Sequence, residues 1–104
     1  MKQRKNGRNI GEVFTNKTVV QYLLDEVNYV AEVNLMNIKI LEPSSGTGIF
    51  ATEIIDRLFS SSQHFDFPFI NALLLNVRFI ELDTSVFNEL QKKIDECIFK
   101  LTAN

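Results

Sequence analysis

Apolar positions recur along this chain with two different periods. Val19, Val20, Leu23, Leu24 and Val27 fall at helical spacing, with Thr15 or Asn16 available as the N-cap. Asn37-Ile38-Lys39-Ile40-Leu41 follows as a short β-rich run that Glu42-Pro43 stops. Phe50, Ala51, Ile54, Ile55 and Leu58 then line one face of a second helix. Val77 to Asp83 reads as a second strand, and its alternation puts Ile80 and Leu82 toward the core and Glu81 toward the opposite side. A last helix, capped by Thr84 or Ser85, turns Val86, Phe87, Leu90, Ile94, Cys97, Ile98 and Leu101 inward. Between these elements, Ser60-Ser61-Ser62 is polar punctuation suggestive of a linker, and Phe59, Phe65, Phe67 and Phe69 crowd an irregular stretch. Ile70 to Leu75 fits a short helix or a third strand; a helix starting at Pro68 is preferred, because proline suits a first helical turn.

Two strands joined by a helical crossover imply parallel pairing with right-handed topology, an α/β unit. The size agrees with one domain or part of one: 104 residues, 45% hydrophobic and 23% charged. One Cys (Cys97) and one His (His64) build neither a zinc site nor a disulfide framework, so no metal is expected. No apolar run approaches a membrane span and the basic N-terminus lacks a signal-peptide core, so a cytoplasmic protein without a membrane partner is expected. Four of the 11 basic residues, Lys2, Arg4, Lys5 and Arg8, stand in the first eight positions. Residues 1–10 read as a basic arm, either near a phosphate backbone or simply solvated.

The chemistry concentrates where the first strand meets the second helix, at Ile40-Leu41-Glu42-Pro43-Ser44-Ser45-Gly46-Thr47-Gly48-Ile49-Phe50. Such a junction opens a crevice at the strand's carboxyl end and offers unpaired N–H groups from the helix. Gly46 and Gly48 permit a sharp turn and close approach to a ligand, and Glu42 brings a carboxylate suited to an ammonium group or hydroxyls. Glu81, near the end of the second strand, is placed to accept hydrogen bonds from ribose hydroxyls, while Asp83 serves equally as a helix N-cap. Glu81 lies 33 residues beyond Gly48; the usual offset is about 20, which makes residues 59–70 an insertion in the crossover.

Gly46-x-Gly48-x-x-Ala51 formally matches a dinucleotide fingerprint, so a non-catalytic, NAD-like nucleotide-binding module is one alternative, and a purely structural fragment another. Glu42-Pro43-Ser44-Ser45 intervenes between strand and glycines, however, and a carboxylate there repels a pyrophosphate. A ligand with a cationic amino-acid tail, a ribose and no phosphate fits the acids better, and S-adenosylmethionine has those groups.

Gly11-Glu12-Val13-Phe14-Thr15 with Val19-Val20 and Leu23-Leu24, then Leu41 to Phe50, then Ile80-Glu81-Leu82-Asp83, occur in one order over residues 11–83. In that order they resemble the adenine-specific DNA methyltransferases of restriction–modification systems. The resemblance implies a partial Rossmann-like S-adenosylmethionine-dependent methyltransferase fold: an N-terminal helix plus the first β-α-β-α unit with parallel strands. Residues 11–104 would form the N-terminal, incomplete part of that domain. By the same resemblance Thr15 would help hold the methionine carboxylate. Glu42 with Ser44, Ser45, Gly46 and Gly48 would surround the methionine part, Glu81 would grip the ribose, and Leu82 would lie against the adenine. Phe14 and Phe50 are equally well explained as packing around the site. Asn16 stands where the family has proline, and Ser45 where many members carry Cys or Ala.

The family transfers a methyl group to the exocyclic amine of a flipped adenine, using an Asn/Asp-Pro-Pro-Tyr/Phe motif. Here the only prolines are Pro43 and Pro68, so that motif is absent. The expectation is therefore a cofactor-binding segment that is inactive alone. DNA would be met through the remainder of the enzyme, with a complementary C-terminal chain as one possible source of it. Two strands alone would also leave unpaired edges and bare apolar faces.

Overall fold

The computed structural model of the chain describes residues 16–42, 46 and 48–103. The basic arm at 1–10, the segment from Gly11 to Thr15, and Pro43, Ser44 and Ser45 lie outside the described residues. The elements run α1 (Lys17–Glu26), β1 (Ile40–Glu42), α2 (Ile49–Phe65), α3 (Phe69–Asn76), β2 (Val77–Phe79) and α4 (Thr84–Thr102).

Asn16 begins α1, its side-chain oxygen accepting the Val19 N–H at 3.0 Å. Asparagine thus supplies by a side-chain bond what a proline would supply by fixed φ. The helix ends in a Schellman arrangement: Asn28 is left-handed (φ 61°), its N–H donating to the Asp25 carbonyl and the Tyr29 N–H to the Leu24 carbonyl. Val20 and Leu24 are buried, whereas Val19, Leu23 and Val27 lie on the exposed flank.

α2 is the centre of the molecule and packs against α1, α3 and α4. Its buried side is Ala51, Ile54, Ile55 and Leu58, continued by Ser61 and Ser62. The serine run is therefore helix, not linker, and the Phe-rich stretch is the end of α2, a short connection and α3. Each buried serine finds partners that repay its desolvation. The Ser61 hydroxyl accepts the Leu35 N–H at 3.0 Å and donates to the Val33 carbonyl at 2.7 Å. The Ser62 hydroxyl donates to the Phe59 carbonyl at 2.6 Å. Ser61→Ala would strand the Leu35 N–H, and a loss of about 2 kcal/mol is expected in urea unfolding. Asp66, left-handed, ends α2, and Pro68 precedes α3 as its N-cap residue. Phe69 seats edge-on against Phe59 with ring centroids 5.2 Å apart.

β1 and β2 pair in parallel, with Ile40 opposite Val77 and Glu42 opposite Phe79. They are shorter than the β-rich runs suggest, because pairing spans only these three positions. The phase of β2 also differs from expectation. Val77 is buried and Phe79 packs on the core, while Ile80 is 41% and Leu82 92% exposed. Register with β1, with the Ile80 N–H donating to the Glu42 carbonyl at 3.0 Å, selects the odd positions as the inward ones.

α4 starts at Asp83, whose carboxylate accepts the N–H groups of Ser85 and Val86 at 3.0 and 3.1 Å. Asp83, not Thr84 or Ser85, is the cap. Backbone donation from Val86 and the Ser85 hydroxyl hold its carboxyl below the ordinary carboxylate value. Only Leu90 of α4 is fully buried; Ile94, Cys97, Ile98 and Leu101 pack partly against the core. Gly48 lies near Leu90 and Lys93, and Thr52 and Asp56 near Cys97, so α2 and α4 run side by side in one direction. The other sheet face is bare among the described residues, with Leu41 60% exposed. Parallel sheets are normally covered on both faces.

Burial raises two acidic groups above their ordinary values. The Tyr29 hydroxyl, buried with no hydrogen-bond partner among the described residues, is pushed up to about 12, and the Cys97 thiol, beside Asp56, to about 11. Both values lie above those of the unfolded chain, so the unfolded state loses its protons first as pH rises. The contribution of these two groups is present below pH 9.0, the ordinary thiol value, and is lost as pH climbs through 11 and 12. Tyr29→Phe removes the upper part of that decline and, by deleting an unsatisfied hydroxyl, raises neutral-pH stability by about 1 kcal/mol. Urea midpoints at pH 7, 10 and 11.5 read both effects.

Candidate functional site

The carboxyl ends of β1 and β2 lie side by side, so the segments leaving them start from the same edge of the sheet. Of the residues expected there, Glu42, Gly46, Gly48, Glu81 and Leu82 are described, and Thr15, Ser44 and Ser45 are not. Glu42 is half-buried at the tip of β1. Gly46 is half-buried and donates its N–H to Glu81 Oε1 at 3.0 Å. Gly48 is buried in the left-handed region, φ 85°, immediately before α2. The structure thus brings Gly46 and Glu81 together across 35 residues of sequence.

Glu81 is fixed at both carboxylate oxygens. Oε1 takes the Gly46 N–H, and Oε2 accepts the Asp83 N–H at 3.2 Å. Asp83 itself is committed to capping α4 through Ser85 and Val86, which is a structural employment. Leu82 projects from the same junction and is almost fully exposed, an apolar side chain available to a planar ring. No group of three His, Cys, Asp or Glu side chains capable of holding a metal occurs among the described residues.

An ionised carboxylate offers about four lone-pair sites. Two of those on Glu81 meet backbone N–H groups, and the others remain suited to hydroxyl donors. The arrangement is poor for phosphate at Gly46, because that N–H already serves an anionic partner.

Sequence reasoning did not single out Arg57, which ties α1 to α2. Its guanidinium donates to Glu53 at 3.0 Å, Asp25 at 2.7 Å, and the Tyr29 and Gln21 carbonyls at 3.1 and 3.3 Å. It thereby fastens the end of α1 to α2. The available signal was a lone cation between Ile54, Leu58 and Ser61 on the buried face of α2, four residues after Glu53.

No family model matches the chain, and no solved structure matches it. Curated proteins do. The type II methyltransferase M.BstVI of Geobacillus stearothermophilus is 39% identical over 51 residues, 49% of this chain and 9% of that protein. M.XhoI of Xanthomonas vasicola is 43% identical and M.PaeR7I of Pseudomonas aeruginosa 41%, each over the same shares. Over about half its length the chain is therefore similar to type II methyltransferases, while its matched part spans less than a tenth of theirs.

Proposed function

We propose that the chain is the S-adenosylmethionine-binding, N-terminal part of an adenine-specific DNA methyltransferase with a Rossmann-like fold. The observation that carries this reading is the pairing of Gly46 with Glu81. In a dinucleotide site the glycine-turn N–H groups face a pyrophosphate. Here one of them is satisfied by the carboxylate that would receive a ribose diol, so a phosphate-free nucleoside is favoured over NAD. Similarity to three type II methyltransferases points the same way.

The crevice residues fit such a cofactor, whose sulfonium carries the transferable methyl group. Glu81 would accept the ribose hydroxyls through its remaining lone pairs, and Leu82 would cover one face of the adenine. Glu42 would orient the methionine ammonium, and the backbone of Ser44, Ser45, Gly46 and Gly48 would enclose the methionine chain. Thr15, one residue before the cap of α1, would hold the methionine carboxylate.

Positioning the adenine amine in line with the methyl–sulfur bond requires groups this sequence lacks, since it contains no Pro-Pro motif. The chain alone is accordingly inactive, and DNA is met through further polypeptide. The open edge of β2 suits such polypeptide, because an apolar groove of about 360 Å³ runs beside it, lined by Phe79, Phe87, Leu90, Ile94 and Ile98. A complementary C-terminal chain, pairing as a third strand, would cover that groove. No described helix is long and apolar enough to cross a membrane, and a cytoplasmic location is part of this reading.

Equilibrium dialysis with radiolabelled S-adenosylmethionine tests the cofactor assignment. Saturable binding is expected, weakened by roughly 1.5–3 kcal/mol in Glu81→Ala, because a charged acceptor is lost. Binding unaffected by that substitution contradicts the assignment of Glu81. Methyl transfer to adenine-containing duplex by the 104-residue chain alone contradicts the claim of inactivity.

A further inference from the structure

We infer that Glu81 is a positioning residue as well as a ligand acceptor: its carboxylate clasps the turn at Gly46 to the β2–α4 junction before any ligand arrives. The inference rests on reading the crevice as a nucleoside site, but the clasp itself is built entirely from this chain.

Both ends of the clasp are backbone N–H donors, Gly46 at 3.0 Å from Oε1 and Asp83 at 3.2 Å from Oε2. The two donors meet different oxygens of the one side chain. A carboxylate provides them, whereas a glutamine amide provides one oxygen and sets an NH₂ against the other N–H. The bonds are charge-assisted, which makes them stronger than neutral ones. The connection continues in both directions. Asp83 caps α4, and α4 presents Leu90 and Lys93 to Gly48 at the start of α2. Gly46 is thus held by Glu81, and Gly48 lies against α4.

A turn ordered in advance spares the ligand the cost of ordering it. Glu81 should then matter even to a ligand that lacks the ribose hydroxyls. That separates the clasp from simple diol recognition.

Hydrogen exchange of the Gly46 amide, measured without ligand, reads the clasp directly. Exchange in wild type is expected to be slow, and at least tenfold faster in Glu81→Gln, while the Ile54 and Ile55 amides of α2 exchange as in wild type and show the fold intact. Glu81→Asp, which keeps both oxygens on a shorter stem, should fall between. Equal Gly46 exchange in wild type and Glu81→Gln overturns the proposal. The second reading is affinity for 2′,3′-dideoxy-S-adenosylhomocysteine, expected to fall at least fivefold in Glu81→Gln. Loss of affinity confined to S-adenosylhomocysteine, with the dideoxy ligand unaffected, overturns the positioning role and leaves diol recognition alone. If wild type binds neither ligand, the nucleoside-site reading fails, and Gly46 exchange by itself decides the clasp.

Discussion

Arg57→Ala is expected to destabilise the protein by about 3 kcal/mol. The Arg57 side chain is 13% exposed and its partner Glu53 12%, so truncation leaves a carboxylate with little access to water. The bond to Asp25 contributes less, because Asp25 is 60% exposed and solvent screens it. Two carbonyls, of Gln21 and Tyr29, lose a donor at the same time. A lysine cannot replace this geometry, since one ammonium does not reproduce the planar fork. Arg57→Met with Glu53→Leu should recover much of the loss, because both charges leave together. Protease cleavage near Val20 and Leu24, which α2 otherwise covers, would report α1 coming away.

Gly48→Val should cost about 2–3 kcal/mol and act on the site itself. A side chain at φ 85° meets the strain of the left-handed region, about 1–2 kcal/mol for an ordinary residue and more when β-branched. Its Cβ would also stand 3.2 Å from Lys93 Cδ and 3.5 Å from Leu90 Cδ1. The lysine stem can give way, but Leu90 is buried and cannot move freely. Thermal denaturation should fall by on the order of 10–20 °C. Gly48→Asn, which tolerates left-handed backbone, should lose clearly less. Equal losses for Val and Asn would assign the cost to crowding rather than to backbone conformation.

Elements written by local rules were legible in the sequence. Asn16 as a cap, Pro68 before α3, and the apolar stripes of α2 and of α4 from Leu90 onward each depend on residues within a few positions of one another, whereas Phe87, expected inward, is exposed. Features set by partners far along the chain were not. Strand length and phase in β2 follow from which three residues meet Ile40, Leu41 and Glu42, and no alternation within 77–83 states that. Ser60-Ser61-Ser62 resembled a linker because serine is polar; its burial depends on Val33 and Leu35, more than 25 residues earlier. The candidate site divides the same way. Glu81 stood out near the end of a strand read as 77–83 with Ile80 and Leu82 inward; those two are outward in the structure, and the bond of Glu81 to Gly46 is a tertiary fact.

The central claim is that this crevice takes an adenosyl nucleoside without phosphate. Calorimetric titration of the chain with S-adenosylmethionine, S-adenosylhomocysteine and NAD tests it most directly. One-site binding of both adenosyl ligands is predicted, with no heat of binding from NAD. Binding of NAD in preference to them, or of none of the three, would contradict it.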